Sequence, residues 1–177
     1  MITNRQIVKT CCSEINIRLL KEIIDELLGY AYELCEMGEF DNAIRVYDRI
    51  LKDNPNNLYA LIDKGVTLQR IGQNNSSLEC LETALKLEPE NIDALIAVGA
   101  TFHAMGEFNT AITYYNKALK IDENLPIALA YKGLALGELG KIISALEYFK
   151  AALSIDKHLD IAIDGKNISR KILESKN

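Results

Sequence analysis

An all-α solenoid of four helical hairpins is the fold class this sequence predicts, and three observations carry it. Gly38, Gly72, Gly106 and Gly140 stand 34 residues apart, inside the phrases MGEFDNAI, IGQNNSSL, MGEFNTAI and LGKIISAL. Small residues keep the same phase in two columns, Ala31, Gly65, Gly99, Gly133 and Ala43, Ser77, Ala111, Ala145. Two more columns follow: Tyr47, Leu81, Tyr115, Phe149 are large, and Ile50, Ala84, Ala118, Ala152 are apolar. A unit of this length cannot bury its apolar stripe alone and does so by stacking on its neighbours.

Each element has a local reason. The first helices are expected at 24–37, 58–71, 92–105 and 126–139, and the glycine near each end suits a left-handed helix stop. The second helices are expected at 41–53, 75–87, 109–121 and 143–155. Asp41, Asn75 and Asn109 are read as the N-caps of the first three of them. Pro55 and Pro89 close the second helices of the first two hairpins, and Asn57 and Asn91 are read as caps of the helices that follow. Pro126 opens the fourth hairpin, where a helix tolerates proline. Small residues in the Ala31 and Ala43 columns let paired helices approach, and the Tyr47 column fills the space beside them.

Residues 160–174 read as one further helix that covers the last hairpin. Ile161, Ala162, Ile168, Ile172 and Leu173 form its apolar side, and Asp160, Asp164, Lys166, Arg170, Lys171 and Glu174 its wet one. Residues 5–22 are helical by pattern, with Ile7, Val8, Ile15, Ile17, Leu19 and Leu20 apolar and a continuation towards Ile23 and Ile24. That helix has three candidate placements: over the first hairpin, in the groove, or against a second molecule. The domain division is therefore 1–23 as an N-terminal helical extension, 24–157 as the repeats (24–57, 58–91, 92–125 and 126–159), and 160–177 as a capping helix and tail.

Composition narrows the function classes. With 49% apolar residues among 177, the chain is not disordered by composition. The net charge of −5 and the absence of a basic run longer than two residues argue against nucleic acid. No N-terminal apolar stretch resembles a secretory signal, and no apolar run approaches the roughly 20 residues that span a bilayer. Cys11, Cys12, Cys35 and Cys80 lack metal or C-x-x-C spacing, and reduced thiols of a cytoplasmic protein explain them.

No constellation for catalysis, cofactor or metal is expected. The only histidines, His103 and His158, stand far apart and make no metal pair. Cys80 belongs to a second helix while His103 faces the other side, so no Cys–His nucleophile is expected. The glycine phrases lack the spacing of phosphate-cradling loops.

The 34-residue period with its small, aromatic and proline columns resembles the tetratricopeptide repeat, over residues 24 to about 157. Ser77 and Ile50 depart from the usual alanine, and Glu123 and Lys157 from the usual proline. The resemblance implies a right-handed superhelix whose first helices line a concave, ligand-binding face. Carried over by repeat position, the first hairpin offers Leu28, Tyr32, Cys35 and Glu36 to that face. The second offers Tyr59, Ile62, Asp63, Val66, Gln69 and Arg70, and the third Asp93, Ile96, Ala97, Ala100 and His103. The fourth offers Ile127, Ala130, Tyr131, Leu134 and Glu138.

One subset of this family grips the C-terminal carboxylate of chaperones with Lys, Asn and Arg. At those positions this chain has Leu28, Tyr32, Asp63, Asp93 and Ala97, which would repel an anion. A frame one repeat later, Ile62, Val66, Ala97, Ile127 and Tyr131, does no better. What the resemblance implies is a cytoplasmic protein-interaction module or adaptor, not an enzyme, that takes an apolar peptide or amphipathic helix in its groove. Its alternative is a scaffold that self-associates, as a homodimer, through the N-terminal helix.

Overall fold

A computed structural model describes residues 4–175, with side chains from Arg18 onward. Among the described residues the chain is all helix and turn: α1 (Asn4–Glu36), α2 (Phe40–Asp53), α3 (Leu58–Arg70), α4 (Asn74–Leu87), α5 (Ile92–Ala104), α6 (Phe108–Ile121), α7 (Pro126–Glu138), α8 (Ile142–Ile155) and α9 (Asp160–Glu174). Each helix packs against the next in sequence, and the odd-numbered helices also touch one another along the array. This is a helical repeat solenoid.

The glycine turns work as expected. Gly38, Gly72, Gly106 and Gly140 have φ of 78°, 80°, 79° and 72°, a left-handed conformation that L side chains disfavour. At the first of them the Glu39 N–H donates back to the Leu34 carbonyl at 2.8 Å, and the same bond recurs from Gln73 to Leu68, Glu107 to Phe102 and Lys141 to Leu136. These bonds satisfy carbonyls that the helix end would leave orphaned.

This turn corrects the expected N-caps Asp41, Asn75 and Asn109. The chain has already reversed by residue 39, so α2 starts at Phe40 and places Asp41 inside its first turn. Asn75 and Asn109 likewise lie inside α4 and α6. The residues in the cap positions, Glu39, Gln73 and Glu107, make no side-chain bond to the helix backbone. Asn57 and Asn91 do cap: their Oδ1 atoms accept from Ala60 N–H at 2.9 Å and Ala94 N–H at 3.0 Å. Such a cap is worth about 1 kcal/mol.

Close approach fixes the packing. Ala31, Ala43, Ala111 and Ala145 are fully buried. A Cβ placed on Gly65 would lie 2.6 Å from Leu81 Cγ, one on Gly99 2.5 Å from Tyr115 Cε1, and one on Gly133 2.8 Å from Phe149 Cε1. The glycine of α3, α5 and α7 is thus the floor on which the large residue of the partner helix lies. A further column, Ala60, Ala94, Ala128 and Ala162, is also fully buried and seats each first helix on the hairpin before it. Ser77 departs from alanine for a visible reason: its Oγ lies 3.1 Å from Thr101 Oγ1, and Thr101 in turn donates to the Ala97 carbonyl.

At the N-terminal end the continuation towards Ile24 is present, and at the C-terminal end one side chain departs from expectation. No break separates the extension from the first repeat helix, because α1 runs through residues 22–24 uninterrupted. The side chains of Ile7, Val8, Cys11, Cys12, Ile15 and Ile17 lie outside the described residues. Leu19, Leu20 and Ile23 are exposed. In α9, Ile168 is 58% exposed, whereas Ala162, Gly165 and Ser169 are buried. Phe149 is the reason: a Cβ on Gly165 would lie 2.3 Å from its ring, so only small residues fit against it.

The opposite signs of two glycine substitutions test this packing. Gly99→Ala should cost about 1–2 kcal/mol in urea unfolding, because the Tyr115 ring is held on all sides. Gly29→Ala, in α1 with open space around it, should stabilise by about 0.5–1 kcal/mol. Ala111→Arg should abolish the cooperative melt followed by circular dichroism.

Candidate functional site

The odd-numbered helices expose one side to the inner surface of the array. There Tyr59, Ile62, Asp63, Val66 and Gln69 of α3 meet Asn91, Asp93, Ile96, Ala97 and Ala100 of α5, with Ile127 and Tyr131 of α7. Together they enclose a cavity of about 360 Å³. A smaller hollow of about 150 Å³ continues it towards α1, lined by Tyr32, Cys35, Glu36, Tyr47, Asp63, Val66, Thr67 and Arg70. Asp63 and Val66 belong to both, so the two form one groove.

Helix periodicity explains the lining. Positions 59, 62, 63 and 66 share one face of α3, and the next turn on that face is Gln69. The opposite face of α3 carries Ala60, Leu61 and Leu68 into the core. Tyr59 is 70% exposed and Tyr32 64%, whereas Ile62 and Ala97 are nearly buried and form the floor. The groove is apolar below and aromatic at its rim. Asn91, which sequence reasoning assigned only to capping, contributes to this lining as well. Its position at the start of α5 was the available signal.

Five of the expected lining residues, Leu28, His103, Ala130, Leu134 and Glu138, lie elsewhere, and Ala130 is fully buried in the core. Leu28 packs against the core beside Ala31 and Tyr47. His103 stacks edge-on against Phe108 at 5.2 Å between ring centres, and burial holds its imidazole pKa down. Leu134 lines a separate crevice of about 300 Å³ between α7 and α9, with Glu138, Ile168 and Ile172. Tyr131 packs its ring 5.9 Å from that of Tyr115, which anchors its place in the groove wall.

The groove's charge is negative. Asp63 and Asp93 line the same cavity, and among the described residues neither forms an ion pair. Arg70, the nearby cation, lies over the Phe40 ring at 4.8 Å. Burial by the groove walls, reinforced by the charge of Asp93, pushes the Asp63 carboxyl up to about 6. Cys35 is sequestered below, its Sγ 3.4 Å from Thr67 Oγ1 and 4.0 Å from the Tyr47 hydroxyl. Burial raises the Cys80 thiol and so disfavours its reactive thiolate. Among the described residues no group of three or more His, Cys, Asp or Glu is placed to hold a metal. None of the described helices is long and apolar enough to cross a membrane.

Paired helices around a concave, partly apolar surface define the helical-repeat class of binding scaffolds. The comparisons with known proteins specify it. Residues 28–124, more than half of the chain, match the family model for the Psidin N-terminal TPR repeats region, and residues 128–158 match that for the tetratricopeptide repeat. The chain belongs to the tetratricopeptide-repeat family. No curated protein sequence matches it.

Solved structures share the fold. TTC0263, a thermophilic TPR protein of Thermus thermophilus, aligns with a TM-score of 0.76 at 21% identity, over 83% of this chain and 82% of that one. The MamA protein aligns at 0.67 with 24% identity, over 85% and 82%. The first TPR of Spaghetti (RPAP3), bound to the HSP90 peptide SRMEEVD, aligns at 0.62 with 17% identity, over 66% and 93%.

Asp63 gives a pH prediction. The native state holds its proton more tightly than the unfolded chain, so this carboxyl favours folding at low pH and the benefit is lost as pH rises through about 6. Asp63→Asn should therefore raise the melting temperature at pH 7 and leave it little changed at pH 4. In a carbon-detected NMR titration, Asp93→Asn should bring the Asp63 midpoint down.

Proposed function

We propose that this chain is a protein-binding adaptor, not an enzyme, which takes an apolar peptide segment or amphipathic helix in the groove between α3, α5 and α7. The observation that carries this reading is a contiguous apolar floor, Ile62, Val66, Ile96 and Ala97, under exposed tyrosines. Large amphipathic side chains around an apolar depression supply much of the energy in protein recognition. An amphipathic helix would present its anchors at three- and four-residue spacing to such a groove.

Carboxylate-clamp binding does not fit. The HSP90 peptide SRMEEVD in the Spaghetti complex has three acidic side chains. Here such a peptide would face Asp63 and Asp93, and like charges at short range repel. The buried, unpaired thiol of Cys35 and the free Cys80 fit a reducing compartment, and we assign the chain to the cytoplasm.

A second reading has its own observation. Leu19, Leu20 and Ile23 are exposed on α1 ahead of the first hairpin, and a second copy of the chain would cover them as a homodimer. Light scattering of the full chain beside Leu20→Asp/Ile23→Asp decides it, because a dimer lost on substitution supports self-association and a monomer in both dismisses it.

The groove reading predicts that Tyr59→Ala with Ile96→Asp abolishes partner capture from source-cell lysate while helical content and melting stay near those of the parent. Capture that survives this pair would place recognition on another surface.

A further inference from the structure

We propose that the groove selects a segment in which a lysine or arginine, flanked by apolar side chains, sits against Asp63 and Asp93. The inference rests on the groove reading above and adds the chemistry of the occupant. Two features point to it together. Asp63 and Asp93 share a cavity whose floor is apolar, yet no basic side chain among the described residues pairs with either. Tyr59 stands one helical turn before Asp63 and turns most of its surface outward, beside the same cavity.

Charge complementarity settles the sign of the partner. Two carboxylates at a partly desolvated site repel one another, and an incoming cation relieves that repulsion while its own charge is neutralised. A tyrosine face attracts the same cation through its π system. The alkyl stem of lysine or arginine lies favourably along apolar surface such as Ile62 and Ile96 while its head reaches the acids. Arg70 does not supply this charge from within, since its guanidinium lies over Phe40. Asp63 faces Asp93 from α5, Tyr47 from α2 and Cys35 from α1, none of which is cationic. Burial first and the charge of Asp93 second raise the Asp63 carboxyl, and a cation seated beside it would oppose both effects.

Three synthetic amphipathic peptides, identical in their Leu and Ile anchors and differing only in a central Lys, Gln or Glu, test the proposal. Fluorescence anisotropy against the full chain at pH 7 should show the Lys peptide binding about tenfold tighter than the Gln peptide, with the Glu peptide weakest. In Asp63→Asn/Asp93→Asn the Lys and Gln affinities should converge. Equal binding of Lys and Gln peptides by the parent, or a preference for Lys that persists in the double variant, overturns the cation-selective site and leaves the groove reading standing. Undiminished binding of all three peptides by Tyr59→Ala/Ile96→Asp overturns the groove reading itself, and no binding of any peptide by the parent overturns both.

Discussion

Everything in this array depends on one steric arrangement: a large side chain of each second helix lies on a small residue of its partner, Ala31 in the first hairpin and glycine in the other three. Tyr115 on Gly99 and Phe149 on Gly133 leave no room for even a methyl group. That contact sets how near the helices come. Nearness in turn decides which residues are driven outward, because a helix pressed to its neighbour on one side must show its other side to solvent. The inner face of α3, with Tyr59 and Val66, is exposed for that reason. Packing density, rather than any hydrogen-bonding motif, thus shapes this inner surface.

Most of the fold was legible because its determinants are backbone-level and periodic. A left-handed glycine and an asparagine cap leave a signature wherever they occur, and here each recurs at the same interval. The Ala60, Ala94, Ala128, Ala162 column was equally visible in the sequence and went unused, although it reports the seating of one hairpin on the next. The misplaced caps show the opposite case. Asp41 has the right chemistry for a cap, but the glycine turn completes the reversal before that residue is reached. Composition names candidates for such a role, and only the three-dimensional path of the turn decides among them.

The candidate site was legible in outline. Positions carried over from the repeat pattern found the walls of the central cavity, since the faces of α3, α5 and α7 follow helix periodicity strictly. Residues at the margins escaped that logic. Leu28 turns towards the first hairpin's core, and Leu134 meets α9, a helix held close by Gly165 against Phe149 as well as by the repeated Ala162. Charge was partly legible: both aspartates were evident, but their shared cavity and the diversion of Arg70 onto Phe40 are facts of packing.

The helices at either end bear on a hazard common to stacked-hairpin proteins. A surface able to accept one more unit is also able to accept another molecule, and successive additions of that kind grow into open filaments. On α9 the positions that correspond to Gly133 and Leu136 are Asn167 and Arg170, both exposed and too polar to seat a further helix. On α1 the position that corresponds to Ala60 is the exposed Glu26, which denies a flat bed to any helix arriving from that side. Head-to-tail addition of further hairpins is therefore opposed at these positions by bulk and charge.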